Sequence, residues 1–459
     1  MTDYVGKPPR IGSGTVSGFF SRYSGWMQKI SGALLDQAVF AGSNFVINII
    51  LARHMTLDHY GAFVVVYTWF LLCQNMYDAF LTEPMAILGS GKYFSQLKEY
   101  LGYTFAGHVI VTLVLALLLG LGATVSGLFD TNLISGTMYT AALVCPILLT
   151  RWLTRQPFYI IAQPHWSALG GIIYFVIGLA GTVLLDRAQQ LTPSNALLTM
   201  AVASAFSSLF LAVVFIKPRL NFRSMSLEAK PVLRDHWNYG KWSSGSKVAN
   251  WIPINLYYVI LPLLISLGAS AALRAMNNVL MPLNMAISAS LGILLPMFAR
   301  TYTESGKEGL HKRLIQVLIA FIAVSGAYCF IFSFFGQPIV SILYDGQFDS
   351  FVTFPILLTM GLAPILVAIN ITLDAALRVM GKMKQSFIST LLPALLILTL
   401  GVALLSQFGL LGANLASLVI GVLATIIYLR FYQQARRVDP AQKSAETSDI
   451  PEPPTTLPL

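Results

Sequence analysis

Runs of about twenty mostly apolar residues recur along the chain, separated by short polar segments. That is the length an α-helix needs to cross a hydrocarbon core of about 30 Å. The runs predict spans over 32–53, 60–86, 101–127, 134–158, 166–186, 194–217, 242–267, 270–298, 314–335, 353–378, 386–406 and 410–432. They are too long, and too rich in Leu, Gly, Ala and Met, for barrel strands of about ten alternating residues. The pattern therefore predicts an all-α polytopic membrane protein with about twelve transmembrane helices.

A polar, basic stretch at 218–241 parts the spans into two sets of six. Weak matches in constant order relate the sets. A shift of about 211 positions places Trp26 on Trp237, Asp36 on Lys247 and Asn44 on Asn255, and "EPMA" from Glu83 then falls on "LPMF" from Leu295. With an even number of spans in each half, the repeat is parallel about an axis along the membrane normal. The expected organisation is an arm (1–30), a first six-helix lobe (31–217), a cytoplasmic linker loop (218–241), a second six-helix lobe (242–434) and a tail (435–459), with the two pseudo-symmetric bundles around a central cavity. The tail is rich in Pro, Ser and Thr and nearly lacks large apolar residues, which predicts disorder.

Composition agrees: 56% of residues are hydrophobic and 10% charged, with mean hydropathy +0.70. The net charge of +10 does not point to nucleic acid, because 26 of the 29 Lys and Arg fall on one side of the predicted topology and only Arg53, Arg187 and Arg274 on the other. By the positive-inside rule both termini are cytoplasmic. Cys73, Cys145 and Cys329 are isolated in apolar runs and suggest neither a metal nor a disulfide. "AILGSGKY" has Ala86 and Tyr93 where a phosphate-binding loop needs Gly and Ser or Thr. No extramembrane segment is long enough for a catalytic domain, so no enzyme and no cofactor is expected, and transport is the reading that remains.

Intramembrane charges cost at least about 2.5 kcal/mol and need an account. In span eight Arg274, Asn277, Asn278, Met281, Asn284 and Ser288 share one broad stripe, the most polar in the chain. Span two carries Tyr67, Gln74 and Asp78 on one face and Glu83 on another; span one offers Asp36, Gln37 and Asn44, and span seven Lys247, Asn250 and Asn255. These four helices correspond pairwise under the repeat, so they are expected to line one shared cavity. The plainer role for any single Asn is hydrogen bonding between helices. Arg151 and Arg155, a turn apart near a cytoplasmic end, are expected to snorkel. Asp374 and Arg378 have the spacing of a structural ion pair, and His108 is expected to be packed and hydrogen-bonded.

The run "LARHMTLDHYGAFVVV" resembles the polysaccharide (Wzx-like) flippases of the multidrug, oligosaccharidyl-lipid and polysaccharide (MOP) exporter superfamily, in which a helix ending Leu-Ala-Arg leads through a short turn to a Tyr-Gly or Phe-Gly pair. "HWNYGKW", "ALRAMNNVLMPLNM", "LLPMFA" and "FGLLGANLAS" are similar to that family too, and the likeness runs from about residue 25 to 435. The resemblance implies alternating access in a bacterial inner membrane and transfer of an undecaprenyl-diphosphate-linked oligosaccharide to the periplasmic leaflet. It also implies membrane lipids, a coupling H+ or Na+, and polysaccharide polymerase and chain-length machinery as partners. Arg274 and Lys247, with Asn277, Asn278, Asn284 and Gln74, are then the substrate-binding candidates. Asp36, Asp78, Glu83 and Asp374 are the ion-coupling or gating candidates, with Asp36 opposite Lys247 at the cytoplasmic mouth. The alternatives are a cation-coupled multidrug exporter and a membrane polysaccharide polymerase or glycosyltransferase, against which the short external loops speak.

Overall fold

A computed structural model of the chain describes residues 16–129, 132–216 and 229–437. Residues 1–15 of the expected arm, 217–228 of the expected linker and the expected tail from 438 lie outside the described residues, as does the side chain of Trp26. The described residues contain helices and no strand. In order these are α1 (Val16–His54), α2 (Leu57–Tyr77), a π-helical turn (Asp78–Thr82), α3 (Glu83–Ser90), a 3-10 turn (Phe94–Gln96), α4 (Leu97–Gly127), α5 (Asn132–Ile160) and α6 (Pro164–Arg187). Then come α7 (Pro193–Ile216), α8 (Ala229–Leu264), α9 (Leu267–Tyr344), α10 (Phe354–Val379), α11 (Met383–Leu396), a second π turn (Ile397–Gly401) and α12 (Val402–Arg437).

Eight helical stretches are long and apolar enough to cross a membrane, two of them 78 and 55 residues long. At 1.5 Å per residue either of these far exceeds one bilayer. Each is broken at a glycine of positive φ: Gly306 (φ 62°, ψ −156°) inside α9 and Gly409 (φ 60°, ψ −140°) inside α12. Such a backbone conformation belongs essentially to glycine. With these breaks, and with α2 continuing through its π turn into α3, the described helices supply about twelve passages. The chain is a multi-pass membrane protein.

Two differences from the sequence reading follow from local propensity. Residues 229–241 are the first turns of α8, not loop: Pro231 stands in the first turn, where its missing N–H costs nothing, and Val232, His236 and Gly240 at i, i+4, i+8 are buried on one face. The backbone of α1 likewise begins at Val16, well ahead of the apolar stretch.

Within the first seven helices α1 packs on α6, α4 on α5, and α5 and α6 on α7. Among the last five, α10 packs on α9 and α12, and α11 on α12. The two sets meet where α1 and α2 lie against α9, and where α2, its π turn and α3 lie against α8. At one end the junction is sealed by close backbone approach: a Cβ on Gly61 would run into the carbonyl of Leu267. The Gln347 amide there donates to the Met55 carbonyl (2.6 Å), and the rings of Tyr60 and Phe348 meet at 6.3 Å. At the other, basic end the first turns of α8 clasp the α2–α4 region. Lys92 and Tyr93 reach Asp235 (2.5 and 2.6 Å), Tyr100 donates to His236 Nε2 (2.8 Å), and His236 Nδ1 donates to the Phe80 carbonyl (2.9 Å).

Candidate functional site

A cavity of about 1090 Å³ opens between α1, α8, α9, α10 and α12. The polar stripe of α9 forms one wall, for the helical period turns Arg274, Asn277, Asn278, Met281, Asn284 and Ser288 to the same side, and all six line the space. Opposite stand Thr359, Asn414 and Ser417, while Ala363, Pro364, Val367 and Met285 make apolar wall. Tyr258 and Gln37 complete the polar lining.

Arg274 is the one charged residue among the described residues of that lining, and no described carboxylate lies within ion-pair distance of it. Its guanidinium carbon sits 5.7 Å from the centre of the Tyr258 ring. The neighbouring amides are held by phenols: Asn277 Nδ2 donates to Tyr258 Oη (2.9 Å) and Asn278 Nδ2 approaches Tyr60 Oη (3.4 Å). Asn278 thus ties the cavity wall to α2 at the sealed end. A guanidinium backed by an aromatic face and flanked by amides, in a space with no described carboxylate, is built to receive an anionic or strongly polar group.

The other candidate residues lie elsewhere. Lys247 stands 3.6 Å from Glu83 Oε2, which also accepts from Ser243 Oγ (2.7 Å). Asp36 does not face Lys247: it is fully buried and takes Arg155 Nη2 and Tyr159 Oη on its Oδ2. The expected pair at the mouth is therefore replaced by two separate ones, Asp36 with Arg155 inside the first set of helices and Glu83 with Lys247 across the junction. Asp78 opens the π turn and accepts from Thr82 Oγ1 (2.6 Å). Gln74 precedes it on α2, and α2 contributes nothing to the cavity lining. Its stacked row Phe63, Tyr67 and Phe70 fills the space beside α9 instead. So the shared cavity expected of four helices draws on α1, α8 and α9 but not α2.

Asp374 holds Arg378 Nε at 2.7 Å and accepts from Ser386 Oγ, the ion pair its spacing suggested. His108 is buried and bonded to Tyr77 Oη (2.8 Å) and Thr150 Oγ1 (3.1 Å). Arg151 and Arg155 depart from expectation. Neither snorkels; both turn into the helix packing, where the Phe40 ring lies 5.4 and 5.2 Å from their guanidinium carbons. Asp36 on α1 and the aromatic faces of α1 and α6 give them an interior destination that spacing along α5 does not reveal.

No protein-family model and no curated protein matches the chain. Solved structures do. An inward-facing multidrug resistance MATE family transporter of the MOP superfamily is similar over 90% of this chain and 96% of its own, with 13% identity and TM-score 0.69. The lipid II flippase MurJ, in an inward closed conformation, is similar over 93% of this chain and 90% of its own, at 15% identity and TM-score 0.66. A MOP superfamily transporter from Pyrococcus furiosus Vc1, described by the reverse polarity of its binding pocket, is similar over 92% and 96%, at 13% identity and TM-score 0.61. The chain has the fold of these transporters.

Proposed function

We propose that the chain is a flippase that carries a lipid-linked oligosaccharide, of the undecaprenyl-diphosphate class, to the periplasmic leaflet of a bacterial inner membrane by alternating access. The observation that carries this reading is Arg274, a cation alone among amides, phenols and apolar side chains in a cavity of about 1090 Å³. A diphosphate supplies the missing counter-charge and the sugars supply partners for Asn277, Asn278, Asn284 and Ser288. An organic cation would meet like charge and no described carboxylate in that space.

The positive-inside rule sets the basic end in the cytoplasm. The seal around Gly61 and Leu267 then lies on the periplasmic side, and the cavity belongs to the state that receives substrate from within. In this scheme the Glu83–Lys247 contact joins the two halves at the cytoplasmic entrance and must part or re-form during the cycle.

Deleting the gene should accumulate lipid-linked repeat units on the cytoplasmic leaflet. Arg274→Ala should fail to restore export at normal protein level, with Arg274→Lys partly active, because charge rather than a two-pronged fork does most of the holding. Unchanged surface polysaccharide with altered drug susceptibility in the deletion strain would replace this reading with multidrug export.

A further inference from the structure

Among the described residues, the largest side chain wholly enclosed by the protein is an arginine outside the cavity. Arg151 is 1% exposed and its guanidinium carbon lies 3.8 Å from the centre of the Tyr174 ring, with Phe40 at 5.4 Å and Trp152 at 5.9 Å. The rings take the face of the guanidinium, which satisfies its quadrupolar preference but none of its N–H groups. Arg151 Nε and Nη2 have no protein partner, nor does Nε of Arg155, one turn on. Orphaned buried donors of this kind point to a bound species.

Charge decides its class. Two guanidiniums, Arg151 and Arg155, flank one Phe40 ring, and one carboxylate, Asp36, gives Oδ2 to Arg155 and Tyr159 while its buried Oδ1 has no protein partner. The other ionisable groups beside them among the described residues, Tyr67, Tyr159 and Tyr174, are neutral phenols. Among the described residues the cluster carries one unbalanced positive charge in the apolar interior of α1, α5 and α6, where such a charge is strongly disfavoured. A water molecule would satisfy donors and leave the charge. We propose that the cluster binds one small monovalent anion of the halide class, held at the edge of the Arg151 guanidinium. The enclosure by Phe40, Trp152 and Tyr174 limits its size. This site is separate from the Arg274 cavity, whose lining does not include Arg151, and it does not depend on what that cavity carries.

The test is thermal unfolding of the purified full-length protein in detergent at fixed ionic strength, with chloride exchanged for gluconate, an anion too large for the enclosure. The melting temperature should rise saturably with chloride. Arg151→Gln should abolish the dependence and Arg151→Lys should weaken it. Diffraction from wild-type crystals grown in bromide supplies a readout that needs no variant: an anomalous peak should lie within hydrogen-bond reach of Arg151. Equal melting in the two salts, a chloride effect that survives in Arg151→Gln, or bromide density absent from Arg151 would each overturn the proposal.

Discussion

Replacing Asp36 by Asn tests the interior ion pair at its most sensitive point. The carboxylate is fully buried and the Arg155 side chain is 11% exposed, so solvent does little to screen the change. Asn keeps the shape and one acceptor for Tyr159, and what it removes is the charge that balances Arg155. Breaking a buried pair from one side costs about 3–5 kcal/mol, and the retained acceptor places the expectation near the lower bound, about 3 kcal/mol. Removing both partners in Asp36→Asn/Arg155→Gln leaves no stranded charge on that pair. It should therefore cost less than the two single changes together, by about 2–3 kcal/mol. The assay is denaturant unfolding of the purified protein in mixed micelles, completed as a double-mutant cycle. A second cycle with Lys247→Gln supplies the contrast, since Lys247 pairs with Glu83 and should be additive with Asp36. Additive costs for Asp36 and Arg155, or coupling between Asp36 and Lys247, would refute the assignment.

Three further outcomes follow from named contacts. Gly61→Ala forces a Cβ against the Leu267 carbonyl; it should weaken the seal by about 1–3 kcal/mol, and a cysteine placed at Asn278 should then label faster with a water-soluble maleimide. Exchanging the charges of Glu83 and Lys247 in one protein should recover export lost in either single reversal, with a coupling below about 1 kcal/mol because both side chains are about a third exposed. Burial tends to raise the Asp235 carboxyl, but hydrogen bonds from Lys92 and Tyr93 outweigh it and hold it below the ordinary value. The stability it contributes is therefore present above a pH of about 4 and lost as pH falls through the depressed value. Asp235→Asn should flatten the acid limb of a melting-temperature profile, and an unchanged limb would assign it to other groups.

The spans were legible because about twenty apolar residues leave few alternatives to a membrane helix, and the α9 stripe because one continuous helix keeps its period from Arg274 to Ser288. Other features depend on what the chain meets after folding. Nothing near Asp36 in sequence names Arg155, 119 residues away, as its partner. Along α5 the same spacing serves a lysine-like snorkel or an inward turn, and only the aromatic faces of Phe40 and Tyr174 decide it. The π turn at Asp78–Thr82 inserts extra backbone into span two between Asp78 and Glu83, and nothing in the spacing announces it. Single glycines at 306 and 409 break the helical backbone with no loop long enough to announce it.

The cavity takes only Gln37, Ala38 and Ala41 from α1; every other described lining residue comes from α8, α9, α10 or α12. The lining is thus written almost entirely after residue 229, whereas each closing contact pairs one residue from either half: Gly61 with Leu267, Met55 with Gln347, Glu83 with Lys247. A recombination breakpoint in the 217–228 segment would move nearly the whole lining in one event, and would at the same time part Gly61 from Leu267, Met55 from Gln347 and Lys92 from Asp235, so that a new first half must bring matching partners.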